Sequence, residues 1–244
     1  MAMIDIPRQE RSLFQNQACL VINKFPGESS EFPGIDIPRT DDKFPVPVHR
    51  LDTPVSGCLL FAKTREAAAF LGAAFAGHDC KVEKKYWAII EKPSAGLPAE
   101  GELVHWVFEN KELNKSFAEP WEEGKAPQKA KYAPPKKAVL RYRVAGQGEH
   151  YVFLEIDLVT GRHHQIRAQL AAMGLRIKGD LKYGAKRSEK GGGIRLHARS
   201  LVFPNPLNTG EMIHVIADPP QPDTLWQAFA EAASAGESHY SRLF

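Results

Sequence analysis

The chain predicts an α+β fold built on a largely antiparallel sheet, and three observations carry that expectation. Eight short apolar runs bounded by turn residues read as strands, against two segments with helical periodicity. These strands do not alternate regularly with helices, as a doubly wound parallel sheet requires. The clearest of them, 151–159, sets Val152, Leu154, Ile156 and Leu158 on one face and Phe153, Glu155 and Asp157 on the other.

In chain order, the first strand is 19–23, followed by a Gly-, Ser-, Pro- and Asp-rich stretch, 26–44, that reads as a long loop. Strand 57–63 leads into a helix over 65–76, with Thr64 as N-cap, Phe70, Leu71, Ala74 and Phe75 as its apolar stripe, and Gly77 at its end. Strands follow at 86–91 and 102–108. Segment 110–137 is Lys-rich and carries Pro120, Pro127, Pro134 and Pro135, a composition that disfavours regular structure. Strands at 138–144 and 151–159 precede a helix over 163–173, with Ile166, Leu170 and Met173 on one face and Gly174 as the stop. A glycine-ended loop at 187–193 and strands at 194–203 and 211–217 complete the pattern. With no internal repeat and no linker, residues 1–244 are expected to form one domain with a core at about 19–220.

A chain of 244 residues with 43% hydrophobic side chains can fill a core. Charges or prolines interrupt every apolar run, so no membrane span is expected. The N-terminus lacks a basic start followed by an apolar core, so no secretory signal is expected either. Cys19, Cys58 and Cys80 are odd in number and form no C-x-x-C pair, which fits a reduced cytoplasmic compartment without a structural zinc site. Net charge is only +3, but its distribution is uneven. Residues 160–200 hold ten bases (Arg162, Arg167, Arg176, Lys178, Lys182, Lys186, Arg187, Lys190, Arg195, Arg199) against Asp180 and Glu189. Such a face suits a polyanion as well as it suits solvent.

Residues 48–57, Val-His-Arg-Leu-Asp-Thr-Pro-Val-Ser-Gly, place a single carboxylate, Asp52, after a basic pair and on turn residues that precede a strand. A carboxylate held on a tight loop beside Arg50 and His49 is the kind of group an active site uses. Asp also caps Thr-Pro turns for purely local reasons, and the fragment alone favours that plainer reading.

The rest of the chain reverses the balance. Residues 49–63 resemble the H-R-L-D-x-x-T-S-G-x-L-L-x-A-K signature of the RluA family of RNA pseudouridine synthases, with Val55 where that family usually has Thr. Further resemblances follow in family order: Val21-Ile22-Asn23-Lys24-Phe25-Pro26-Gly27, Lys84-Lys85-Tyr86-Trp87-Ala88, and Thr160-Gly161-Arg162-His163-His164-Gln165-Ile166-Arg167. Gly179-Asp180-Leu181-Lys182-Tyr183-Gly184, Leu196-His197-Ala198 and Phe203-Pro204-Asn205-Pro206 complete the series. The resemblance runs from about Cys19 to about Pro220. It implies a stand-alone catalytic domain without the S4-type domain many relatives carry, and a pseudouridine synthase fold: a central mixed, mainly antiparallel sheet with flanking helices and a catalytic cleft.

The resemblance also implies the chemistry. Asp52 is the expected catalytic carboxylate, either attacking C1′ or removing the C2′ proton. Arg167 is its expected ion-pair partner, since a guanidinium grips a carboxylate at two points and favours its charged form. Tyr86 is expected to lie against the uracil ring and Ile166 to wall the apolar slot. Arg50, Lys63, Lys85, Arg162 and His163 are the expected substrate contacts. Because the reaction involves no redox change and no net hydrolysis, neither cofactor nor metal is expected. The expected partner is RNA, either tRNA or rRNA, and the expected state a monomer.

Two other functions compete. An Asp-dependent glycoside hydrolase would need paired carboxylates, and Glu155 and Asp157 share a strand face. A non-catalytic RNA-binding protein of the same fold would not need Asp52, Tyr86 and Arg167 together.

Overall fold

The computed structural model describes residues 11–31, 33, 44–77, 82–127, 132–189, 191–220 and 223–240. In chain order the elements are β1 (Ser12–Gln15), β2 (Cys19–Lys24), β3 (Val46–Pro47), β4 (Ser56–Ala62), α1 (Arg65–Phe75), β5 (Glu83–Glu91), β6 (Glu100–Asn110), β7 (Lys115–Pro120), β8 (Lys136–Gln147), β9 (Tyr151–Leu158), α2 (Gln165–Ala172), β10 (Leu196–Asn205), β11 (Asn208–Ile216) and α3 (Thr224–Tyr240). They fall into two compact units, Met1–Lys84 with His197–Gln221, and Lys85–Leu196 with Pro222–Phe244.

In the first unit the strands run β1-β2-β4-β10-β11, and β3 also pairs with β4. Every pairing is antiparallel except β4 with β10, which run parallel at Ser56–His197 and Gly57–Ala198. All seven residues of β4 are buried, as a strand covered on both faces requires. Val21, Cys58, Leu60, Phe203, Ile213 and Val215 pack with Ala67 and Leu71 of α1. Burial of a leucine such as Leu71 contributes about 1.5–3 kcal/mol. The expected cap of α1 is present: Thr64 is extended, and its Oγ1 accepts a hydrogen bond from Ala67 N at 3.1 Å, a cap contributing about 1 kcal/mol. Gly57 is demanded by the parallel crossing. Its φ is +116°, and a Cβ there would stand 2.3 Å from the Ala198 carbonyl oxygen. Beside it, His197 Nε2 donates to Ala217 O at 2.9 Å, so Nδ1 accepts from the Ser56 hydroxyl at 2.8 Å.

The second unit is an antiparallel sheet in the order β5-β9-β8-β6-β7. Strand alternation divides its side chains. Trp87, Ile89 and Phe153 point to one face, where Trp226, Phe229 and Ala233 of α3 cover them. Gly101, Tyr142, Ile156 and Tyr86 form a cross-strand row on the other face. That second face also carries α2, whose Gln169 Nε2 donates to Leu103 O at 3.0 Å and meets His105 Nδ1 at 3.1 Å.

Three expectations need correction. Segment 110–137 is not irregular throughout. It contains β7 and the first residues of β8, because Asn110 Oδ1 caps Leu113 N at 3.0 Å and Asn114 takes a left-handed φ of 45°, closing a tight hairpin. Helix α2 is shorter than 163–173, and Met173 at its C-cap is 52% exposed rather than part of the apolar face. Helix α3 has no counterpart among the two expected helices. Asp223 starts it, its Oδ1 accepting from Trp226 N at 3.1 Å. Most of the 26–44 stretch lies outside the described residues.

Candidate active site

Asp52 sits on a turn pinned from several sides. Val55 N donates to Asp52 O at 2.9 Å and closes it. The Ser30 hydroxyl bridges the backbone of Leu51, donating to its carbonyl at 3.0 Å and accepting from its N–H at 2.9 Å. The Thr53 carbonyl accepts from Gly27 N at 2.8 Å and from Lys24 Nζ at 3.2 Å. Lys24 is wholly buried, and its ammonium also donates to Phe25 O and Glu28 O, both at 2.9 Å. Burial lowers its pKa to about 8, against the opposing pull of Glu28 and Asp52. A buried ammonium therefore knits the 25–28 loop to the Asp52 turn and lies in the electrostatic reach of that carboxylate. Lys24 belongs to the N-K-F-P-G stretch of the sequence, but the motif alone assigns it no role; its three carbonyl partners become visible only in three dimensions. Arg11 grips Glu28 at two points, 3.0 and 2.6 Å, and steadies the same loop.

The basic pair before Asp52 divides in role. Arg50 is exposed and can reach a substrate. His49 turns inward: its Nε2 accepts from Leu60 N at 3.2 Å, and its ring stacks on Phe75 with centroids 4.9 Å apart. Burial, helped by the charge of Lys84, pushes its pKa down to about 3, so it is a neutral structural group. Lys63 lies past the far end of β4 from Asp52, on the order of 20 Å along the strand, and its Nζ donates to Asn16 O at 2.8 Å.

In the second unit, Tyr86 is buried on the α2 face of β5. Lys85, its neighbour, points to the opposite face and faces Asp157 at 4.0 Å. Helix α2 presents Ile166 and Arg167, both buried. Asp180 holds the Arg167 guanidinium at two points, Nε to Oδ2 at 2.7 Å and Nη2 to Oδ1 at 2.8 Å. The Tyr183 ring lies 4.8 Å from the guanidinium carbon. The Tyr183 hydroxyl donates to Ser116 O at 3.0 Å, accepts from Ser116 N at 2.9 Å, and meets His164 Nδ1 at 3.0 Å. Asp180 and Tyr183 come from the G-D-L-K-Y-G stretch, which is legible as a motif but not as the support of Arg167. His163 stacks on His164 at 3.9 Å, and its Nδ1 meets the Ser116 hydroxyl at 2.9 Å. Arg162 is exposed, its Nε donating to Lys137 O at 3.2 Å.

The rival carboxylate pair is spoken for. Glu155 is buried and accepts from the Trp87 indole at 3.2 Å and from Arg143, whereas Asp157 is exposed. Among the described residues, no three His, Cys, Asp or Glu side chains gather as metal ligands, and no helix is long and apolar enough to cross a membrane.

Comparison with known proteins bears on the family and the fold. The family model described as RNA pseudouridylate synthase matches residues 21–172, a span holding Asp52, Tyr86 and Arg167. The tRNA pseudouridine synthase C of Haemophilus ducreyi is 36% identical over 170 residues, covering 66% of this chain and 67% of the relative. The ribosomal large subunit pseudouridine synthase D of Zymomonas mobilis is 29% identical over 182 residues, covering 71% of this chain and 52% of the relative. Human RNA pseudouridylate synthase domain containing 4 shares the fold with a TM-score of 0.66 at 21% identity, over 93% of this chain and 94% of that one. With the motifs in order, the fold matched and the family model spanning more than half of the chain, the chain belongs to the RluA-type family of RNA pseudouridine synthases.

Proposed function

We propose that Asp52 is the catalytic carboxylate with which this chain isomerises a uridine of tRNA or ribosomal RNA to pseudouridine. The observation that carries the reading is the family motif on a turn held by Ser30, Gly27 and Lys24, which presents one carboxylate in a fixed direction. The reaction breaks the bond from uracil N1 to ribose C1′, rotates the base, and joins C5 to C1′. The C5 proton leaves and N1 gains one, so atoms balance without an oxidant or water. Asp52 acts either by attacking C1′, giving a glycosyl ester, or by taking the C2′ proton, giving a glycal.

Arg167 is the proposed ion-pair partner of Asp52. Its support is the motif and the grip of Asp180, which fixes the plane of the guanidinium and so the direction of its other donors. Tyr86 stacks on the flipped uracil, and Ile166 lines the slot. Flipping a base out of a helix costs a few kcal/mol, which phosphate contacts offset. Arg50, Arg162 and His163 are candidates for those contacts. Lys63 and Lys85 remain candidates in the same proposal, Lys63 tied to Asn16 and Lys85 facing Asp157. The names of the relatives, one for tRNA and one for the large ribosomal subunit, support the substrate class. A monomer in the cytoplasm is part of the same proposal.

Pseudouridine mapping of total RNA from cells with and without the gene tests it directly. One or more uridines should lose modification in the deletion and regain it when the gene is returned. Incubation of purified protein with RNA should yield no free uracil, since release of the base means hydrolysis rather than isomerisation.

A further inference from the structure

We propose that the tip of the β6–β7 hairpin and the turn at 181–184 form one docking surface for the phosphodiester backbone of RNA flanking the target uridine. The inference rests on the reading that RNA is the substrate. Lys115 Nζ donates to Lys182 O at 2.7 Å, and Lys182 Nζ donates to Asn114 O at 3.0 Å. Each lysine thus clamps the backbone of the other's segment, and the two segments make one rigid surface. Arg176 joins them: its Nε would lie 3.3 Å from a Cβ at Gly184, so the guanidinium chain runs across that turn.

The charges here are unbalanced. Elsewhere in the molecule Arg11, Arg143, Lys178 and Arg195 each face a carboxylate. Among the described residues, Lys111, Lys115, Arg176 and Lys182 make no ion pair. Glu112 is the one acid in 111–115 and 181–187. Holding like charges together costs free energy that a polyanion recovers by displacing counterions. Leu113, between Lys111 and Lys115 in the chain, and Leu181, next to Lys182, are 58% and 57% exposed. Exposed apolar side chains on segments that carry cations fit a strand of RNA, which offers both phosphates and base or sugar faces.

The surface is one ring away from Arg167. Tyr183 has the Lys115 ammonium 4.9 Å from its centroid and the Arg167 guanidinium carbon at 4.8 Å. RNA seated on the lysines therefore lies beside the arginine assigned to the catalytic set.

The test is RNA binding by Lys111→Gln, Arg176→Gln, Lys182→Gln combined, with Lys115→Gln as a separate variant and Arg141→Gln, on the α3 face of the sheet, as control. Glutamine at 115 or 182 keeps an N–H for the carbonyl it meets, and circular dichroism with a urea midpoint checks folding. The probe is an unfractionated tRNA and ribosomal RNA preparation, titrated between about 50 and 200 mM salt, the range over which counterion release is resolved. The slope of log affinity against log salt should fall by about 0.7–0.9 for each phosphate left without its cation, roughly 2–3 for the triple variant, with affinity down at least tenfold at the lowest salt. Leu113→Ser with Leu181→Ser should weaken binding without changing the slope. A folded triple variant with parental slope and affinity overturns the proposal, and so does a control that falls as far as the triple variant. Binding is read separately from turnover, so a parent that binds RNA on this surface but isomerises nothing overturns the catalytic reading and leaves the surface standing.

Discussion

Arg167 and Asp180 form a two-point ion pair with side chains only 5% and 2% exposed. A buried pair gains little over an apolar substitute, but leaving one partner alone is costly. The pairing therefore fixes direction more than it adds stability, and the direction it fixes is that of the guanidinium proposed to meet Asp52.

Asp180→Ala should lower unfolding free energy by about 3–5 kcal/mol, because it strands a buried guanidinium. Asp180→Ala combined with Arg167→Leu should recover part of that loss while remaining inactive. Urea denaturation of the three proteins checks both statements. A double variant no more stable than Asp180→Ala would mean that the stranded charge is not the source of the loss.

Asp52→Asn should abolish isomerisation and leave RNA affinity within a few-fold of the parent, since phosphate contacts supply most of the binding. Filter binding and a pseudouridine assay on one preparation, free of deamidated enzyme, decide it. Appreciable turnover by this variant removes Asp52 from its assigned role.

Tyr86→Phe separates two functions of one ring. Tyr86 lies buried in a row with Ile156 and Tyr142, so the phenyl ring can stay in place when the hydroxyl is removed. Lost activity with retained binding assigns a proton-handling role to the hydroxyl, and full activity leaves stacking alone. Tyr86→Ala should fail in both cases.

Gly57→Ala should cost on the order of 4 kcal/mol or more. The new Cβ would stand 2.3 Å from the Ala198 carbonyl oxygen, on a backbone with φ +116°. Gly27→Ala is the comparison, because φ there is +88° but a Cβ meets nothing within 4 Å. It should cost only the backbone strain, about 1–3 kcal/mol. Similar urea midpoints for the two variants would contradict the steric argument.

Acid should loosen the first unit through its buried histidines. Burial holds His49 at a pKa of about 3 and His197 at about 4, both below the ordinary 6.5. The unfolded chain therefore binds more protons than the folded one between these values. The stability these neutral rings support is complete above pH 6.5 and is lost progressively as pH falls towards 4 and 3. Urea midpoints from about pH 7 to 4.5 should fall less steeply for His49→Gln, which keeps an acceptor for Leu60 N but cannot charge. Parallel curves for parent and variant would refute the assignment.

The sequence by itself determined what rests on local pattern. The strand at 151–158, the Thr64 cap and Leu71 and Ala74 of the α1 stripe depend on neighbours a few residues away and appear where the pattern puts them. Yet β9 is buried on both faces from Val152 to Ile156, and Phe70 and Phe75 are only partly buried. The Asp52 motif and its companions are readable for the same reason, as short strings of fixed chemistry. The Asp223 cap of α3 is equally local, although the prolines just before it draw attention to a turn instead. The prolines of 110–137 likewise hide a hairpin that one asparagine side chain and one left-handed residue close. Only the tertiary structure decided the long-range pairings. Lys24 meets Thr53 29 residues away, Arg167 meets Asp180 across 13, and Tyr183 meets Ser116 across 67. Basic residues that look alike in the chain separate in space: Arg50 is exposed, Lys24 is buried among carbonyls, and Lys85 is turned to the opposite face from Tyr86. Their roles depend on burial and partners, which are properties of the packed sheet and not of the order of residues along it.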